Sequence, residues 1–283
     1  MKFSVVIPTY RRNEDLLKCV AGLARFAPDH EDGNTGFEVE VLVSDDGRDP
    51  ELERLLAERF PWVRYLPGPQ QGPAANRNNG ARAATGEWLA FTDDDCLPQA
   101  GWLETFAENT EHPLLEGRTI ADRPQERLDE ESPMNESGGL LWSCNFAIRK
   151  SLFEEIGGFD ETFPHAAMED VDLRVRLEKA GHRPKFLPGA VVVHPFRRVK
   201  GADFQQKRYL SAQHFLKLHP ERVPESPARQ YLHRSLRGFL RISLPGMWRY
   251  RCRGALFSLR RDWFFFRLAI RHSPLGRWFT SGK

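Results

Sequence analysis

Three short apolar runs in the first hundred residues each end in polar or acidic side chains, and that recurrence limits the folds open to the chain. They are "FSVVIPTY" (3–10), "FEVEVLVSDDG" (37–47) and "GEWLAFTDDD" (86–95). Runs rich in β-branched and aromatic residues, bounded by turn formers, read as strands. Between them, Leu16, Leu17, Val20, Leu23 and Phe26 recur at helical spacing over residues 13–26. Residues 50–60 read as a helix and "VRYLPG" as a further strand. "GPAANRNNGARAATG" reads as a Gly-bounded, Ala-rich helix. Strands alternating with helices predict an α/β fold with a mostly parallel, helix-covered sheet. Ligands of such sheets bind outside the carboxyl ends of the strands. Pro8, Thr9, Tyr10, Asp45, Asp46, Asp93, Asp94 and Asp95 all fall at such ends.

Further along, residues 112–138 are polar and read as a surface excursion near an acceptor. "LLWSCNFAIRKSLFEEIGGFDETF" combines a strand, a helix and a Gly-Gly turn. "MEDVDLRVRLEKAGHRPKF" is an amphipathic helix with acids in its first turn. "GAVVVHP" is a last buried strand ending at His194.

The aspartate triplet invites three readings. An EF-hand loop counted from Asp93 would put Glu104 at its twelfth position, but Pro98 stands where the loop needs glycine, so that reading fails. A solvated acidic turn is the plain alternative. The third is a hard divalent cation, Mn²⁺ or Mg²⁺, held by one or two carboxylates together with substrate phosphates. Such a cation neutralises a diphosphate leaving group.

Five motifs in order, "VVIPTY", "VLVSDDG", "GPAANRNNGARAATGEWLAFTDDD", "SCNFAIRKSLFEEIGGFDETF" and "MEDVDLRVRLEKAG", make residues 3–196 resemble family 2 inverting nucleotide-sugar glycosyltransferases, which have the GT-A fold. The resemblance implies a nucleotide-sugar donor, with a UDP-sugar the expected one, and a glycan or lipid-linked sugar acceptor. It puts Thr9 beside the base, with Pro8 and Tyr10 shaping the first loop. Asp45 or Asp46 contacts the base or ribose, and Arg77 helps place the nucleotide. Asp93 and Asp95 are the ends of a D-x-D motif: Asp95 is the direct metal ligand, Asp93 a ribose or outer contact, and Asp94 the middle residue of the donor pocket. His194 matches a position that completes metal coordination, against the alternative of a structural histidine. Asp170 is implied as the base that takes the acceptor proton, with Glu169 orienting it or binding an acceptor hydroxyl. Spacing alone favours reading both as helix N-terminal acids stabilised by the macrodipole; the family pattern reverses that preference. Trp142 and Asn145 are acceptor-side candidates, although Trp142 suits a buried core as well. The family's usual DDGS reads "DDGR" here, with Arg48 in place of serine.

Charge divides the chain. Residues 1–195 carry 21 Lys and Arg against 35 Asp and Glu, a balance of −14, while the remainder carries 20 against 4, a balance of +16. This predicts a catalytic domain over 1–196 and a basic, mainly helical extension over 197–283 that favours an anionic partner. An uninterrupted helix is expected from Met247 to His272, bounded by Pro245-Gly246 and Ser273-Pro274, with Gly254 as its weak point. On it Arg249, Arg253, Arg260, Arg267 and Arg271 fall within about 40° of one another. That stripe suits an anionic membrane interface or docking on the acidic domain. No recognised nucleic-acid motif accompanies it, so nucleic acid is not the expected partner.

The four cysteines show no CxxC spacing, which argues against a zinc ribbon or a disulfide framework and suits a reducing compartment. "MKFSVVIPTYRR" has no signal-peptide organisation. The expectation is a cytoplasmic protein, peripheral at the inner face of the membrane. A nucleotidyltransferase making nucleotide sugars would need a glycine-rich loop after the first strand, which "PTYRRNEDL" lacks. A non-catalytic sugar-nucleotide or membrane-binding protein is the other alternative.

Overall fold

The computed structural model describes residues 1–27, 36–199, 201 and 203–274. Up to residue 107 the elements are β1 (Lys2–Thr9), α1 (Asn13–Gly22), β2 (Glu38–Asp45), α2 (Pro50–Arg59), β3 (Val63–Pro67), α3 (Pro73–Ala83), β4 (Trp88–Phe91), β5 (Leu97–Pro98) and α4 (Trp102–Ala107). Then come β6 (Leu114–Ala121), β7 (Glu130–Glu131), β8 (Phe146–Arg149), α5 (Lys150–Glu155), α6 (Glu169–Lys179), β9 (Lys185–His194) and β10 (Arg197–Arg198). Four helices follow: α7 (Phe204–Leu218), α8 (Pro227–Gly238), α9 (Leu244–Arg249) and α10 (Ala255–His272). The chain forms two compact units. One is Met1–Asp122 with Pro133–Pro195; the other is Arg123–Ser132 with the chain from Phe196 on.

The first unit is built on an eight-stranded sheet in the order β3-β2-β1-β4-β8-β6-β9-β5. Strands β1 to β4 run parallel, and β8 lies antiparallel between β4 and β6. Helices cover both faces, which is why β1 is buried from Phe3 to Thr9. Its side chains alternate between two cores. Phe3, Val5 and Ile7 pack with Leu16 and Val20 of α1, while Val6 packs with Ala74 and Ala81 of α3. From β1 the chain steps outward through β2 to β3, then returns to place β4 on the other side of β1. The crevice at that reversal receives the ends of β1, β2 and β4.

Two expectations change here. The 112–138 region is not a surface excursion throughout: Leu114–Ala121 is β6, paired to both β8 and β9. Its polar Glu116 is fully buried and accepts from Asn135 Nδ2 and from the backbone N–H groups of Gly139, Leu140 and Leu141. The helix expected over 13–26 ends at Gly22 and is followed by a 3₁₀ turn over Ala24–Phe26.

In the second unit, β7 and β10 pair antiparallel, with Arg197 opposite Glu131 and Arg198 opposite Glu130. Tyr231 of α8 packs with Phe265, Leu268 and Ala269 of α10. The single helix expected from Met247 to His272 is broken. α9 ends at Arg249, and α10 starts after Gly254, whose φ of +76° suits glycine. A Cβ on Gly254 would also lie 2.5 Å from the Asp129 amide nitrogen. Only Arg260, Arg267 and Arg271 of the expected stripe therefore share a helix. Among the described residues no helix is long and apolar enough to cross a membrane.

Candidate active site

The strand ends form the first wall of the crevice. Thr9 is buried, and its Oγ1 donates to Asp94 Oδ2 across 2.8 Å. Arg12 Nη1 stands 2.9 Å from Asp94 Oδ1 and 3.5 Å from Asp95 Oδ2. The middle aspartate therefore ties the end of β4 to the turn after β1. Pro8 is buried within β1, whereas Tyr10 is 54% exposed. Asp45 and Asp46 shape the neighbouring loops. Asp45 accepts from the amides of Gly47 and Asp49 and from the Tyr65 hydroxyl, and Asp46 accepts from the amides of Gln70 and Gly72.

Helix α3 supplies the link to the rest of the site. Arg77 is 5% exposed, and its Nη2 donates to Asp93 Oδ1 at 2.7 Å. Its Nη1 lies 3.6 Å from Glu169 Oε1. Burial opposes its charge, but Asp93 and Glu169 outweigh burial and hold the guanidinium above its ordinary pKa. Two neighbours not predicted from the sequence fix this helix. Asn76 donates to the carbonyls of Thr9 and Ser44; Asn78 donates to the carbonyl of Phe159 and to Glu161, and accepts from the Phe159 amide. Three asparagines in a helix of alanines are a readable signal, because asparagine is a poor interior helix former unless its amide has work elsewhere.

Asp95 and His194 meet at the far side of the triplet. His194 Nδ1 lies 3.0 Å from the Pro195 carbonyl, which can only accept, so the ring proton sits on Nδ1. The lone pair of Nε2 then faces Asp95 Oδ1 at 3.6 Å. Burial lowers the pKa of His194 and favours its neutral form. A neutral imidazole nitrogen facing a carboxylate is an arrangement that a cation completes. Cys96 also has its sulfur within 4.8 Å of these ligand atoms. Burial pushes that thiol well up, and a protonated sulfur does not suit a hard cation. The carboxylate and imidazole pair fits Mn²⁺ or Mg²⁺.

The N-terminus of α6 brings Glu169 and Asp170. Met168 before it adopts a left-handed φ of +76°. Burial, with the adjacent Asp170 carboxylate, pushes Glu169 up to about 7, and burial raises Asp170 as well. The helix dipole favours both anions, but desolvation prevails. Glu169 Oε2 and Arg77 Nη1 are buried with no hydrogen-bond partner among the described residues. Asp172 is instead engaged by Arg176 at 2.7 Å.

The two acceptor-side candidates separate. Trp142 is half-buried against the core, with its Nε1 donating to the Met134 carbonyl. Asn145 is 1% exposed; it accepts from Trp102 Nε1 and donates to the carbonyls of Arg118 and Ala190. Its amide is committed to joining α4, β6 and β9.

Solved structures share this architecture. S. aureus TarS 1-349 in complex with UDP-GlcNAc superposes with a TM-score of 0.53 at 21% identity, over 100% of this chain and 76% of that one. The mannosyltransferase PcManGT from Pyrobaculum calidifontis, in complex with GDP-Man and Mn²⁺, superposes with a TM-score of 0.52 at 17% identity, over 99% and 79%. The fold is GT-A. Residues 4–117 match the family described as Glycosyl transferase family 2. A "Pre-mycofactocin glycosyltransferase" of Mycobacterium tuberculosis is 36% identical over 146 residues, 45% of this chain and 31% of that protein. Residues 4–117 are thus similar to glycosyl transferase family 2; the match to that relative spans less than a third of its length.

Proposed function

We propose that this protein is an inverting glycosyltransferase that moves a sugar from a nucleoside diphosphate, a UDP-sugar in the first instance, to an acceptor hydroxyl. The observation that carries the reading is Arg77, which bridges the Asp93 end of the acidic triplet and the Glu169-Asp170 helix start within one buried site. Donor diphosphate belongs at the triplet. Asp95 and His194 would hold Mn²⁺ or Mg²⁺, which neutralises charge on the leaving diphosphate when bound. Asp170 takes the proton of the acceptor hydroxyl as its oxygen attacks the anomeric carbon from the face opposite the diphosphate. The bond between that carbon and the diphosphate oxygen breaks, and the nucleoside diphosphate leaves. Glu169, with a buried oxygen lacking a partner, accepts from an acceptor hydroxyl.

The acceptor we favour is a lipid-linked sugar of a cell-surface glycan, met by a peripheral protein at the cytoplasmic membrane face. Support comes from the basic second unit and from its exposed apolar side chains, including Leu240 at 58%, Trp248 at 91% and Trp263 at 59%. Nucleoside diphosphate release from UDP-glucose, UDP-N-acetylglucosamine and GDP-mannose, with and without Mn²⁺, tests the transfer reading. Mn²⁺-dependent release from one donor, lost in Asp95→Asn, is expected. No release from any of them, with a verified folded protein, would count against it.

A further inference from the structure

A cleft of about 800 Å³ lies within the second unit, far larger than a water molecule needs. Its lining runs from Ala255 to Arg271 along α10, and Phe204 and Gln205 of α7 also face it. The α10 side chains alternate in character. Phe257, Phe264 and Leu268 give the cleft apolar surface, while Arg260, Arg267 and Arg271 stand between them on the same helical face. Aromatic contacts help define this surface: the Phe204 and Phe257 rings lie 6.1 Å apart, and those of Tyr209 and Phe264 6.0 Å apart.

Among the described lining residues, five arginines face a single acid, Asp129. Arg127 is held by Asp129 at 2.8 Å, and Arg261 by Asp262 at 2.9 Å. Arg260, Arg267 and Arg271 make no ion pair among the described residues. Three guanidinium groups with no acid paired to them repel one another, and an anion relieves that repulsion. A second observation points the same way. Gln205 Nε2, a donor, is buried in the lining without a hydrogen-bond partner among the described residues. Burying such a donor is unfavourable unless an acceptor completes it.

We propose that this cleft binds a phosphate group carried on an apolar chain: the arginines and Gln205 take the phosphate oxygens, and the phenylalanines and Leu268 take the chain. Guanidinium forks match phosphate geometry, and apolar surface between them has no use for a bare inorganic anion. The inference deepens the membrane part of the preceding reading. It adds a discrete site for one lipid molecule to a general attraction for a charged surface.

The test uses the full chain and a short-chain lipid, dihexanoyl phosphatidic acid, kept below its micelle concentration. Sodium phosphate and inorganic pyrophosphate are the parallel probes, and titration calorimetry is the readout. Binding of the lipid, weakened roughly tenfold or more in Arg260→Gln/Arg267→Gln/Arg271→Gln, is expected. A control triple, Arg249→Gln/Arg251→Gln/Arg253→Gln, removes equal charge away from α10 and should change affinity by less than about twofold. Phe264→Ser should weaken the lipid and leave pyrophosphate unchanged. Equal loss in both triples would overturn the site in favour of bulk electrostatics. Pyrophosphate or phosphate binding as tightly as the lipid would overturn the apolar half. Binding of wild type to phosphatidylglycerol vesicles, with none to the monomeric lipid, would overturn the cleft and leave only surface attraction. None of these readouts depends on sugar transfer.

Discussion

Arg77 donates to Asp93 across 2.7 Å from within a helix that is otherwise mostly alanine, asparagine and glycine, and the same guanidinium faces Glu169. One buried cation thus serves acids from two separate parts of the chain.

Replacing it tests that role. Arg77→Gln leaves Asp93, Glu169 and Asp170 without their shared positive charge. Removing one partner from a buried ion pair costs about 3–5 kcal/mol. Chemical denaturation should show a loss of that order, with weaker nucleoside diphosphate binding. Stability within about 0.5 kcal/mol of wild type, the range of ordinary surface substitutions, would show that Arg77 is not the keystone described.

Glu169 makes stability depend on pH. Its pKa rises from an ordinary 4.5 to about 7 in the folded protein, chiefly through burial and then through Asp170. Across that interval the folded state holds a proton that the unfolded chain has released. The stabilisation is therefore complete below the unfolded value and is lost as pH rises through the folded one. Glu169→Gln imitates the protonated form. In metal-free buffer the variant should melt close to wild type near about pH 5 and above it near about pH 8. A melting difference that stays constant between those values would contradict the raised pKa.

Asp170→Asn keeps the shape of the proposed base without its ability to take a proton. Turnover with a verified acceptor should fall by roughly 10²–10⁴, the usual worth of a positioned base. Donor affinity measured by calorimetry should stay within about twofold, since Asp170 acts on the acceptor. Near wild-type turnover would remove Asp170 from the role.

Trp248 and Trp263 test the membrane surface apart from the α10 cleft. Both are more than half exposed, at 91% and 59%. Trp248→Ser/Trp263→Ser should reduce co-sedimentation with phosphatidylglycerol vesicles while the melting temperature moves little, because exposed side chains contribute little to folding. A large drop in melting temperature with unchanged sedimentation would assign these residues to packing.

Much of the first unit was legible because its strands are buried on both faces. Continuous runs such as "VVI" and "VLV" leave few alternatives, and the acids after them mark the carboxyl ends that line the crevice. Strand β6 was not legible, since Glu116 and Arg118 at its centre read as loop. Its carboxylate is tolerated only because Asn135 and three amides from a segment some twenty residues on converge upon it. Asn145 misled for a related reason. A polar residue beside a strand looks available for a substrate, yet its three hydrogen bonds serve the interior. The break at Gly254 was visible only as a weak point in the helix, because the clash with Asp129 that requires a bare backbone there comes from a distant segment.

The central claim is that a divalent cation and a nucleoside diphosphate complete the acidic triplet together. Calorimetric titration of UDP and of GDP into the wild-type protein, once with Mn²⁺ and once with EDTA, tests it most directly. At least one nucleotide should bind roughly tenfold or more tightly with Mn²⁺, and Asp95→Asn should abolish that gain while still folding. Equal affinity with Mn²⁺ and with EDTA, or a full Mn²⁺ gain in Asp95→Asn, would contradict it.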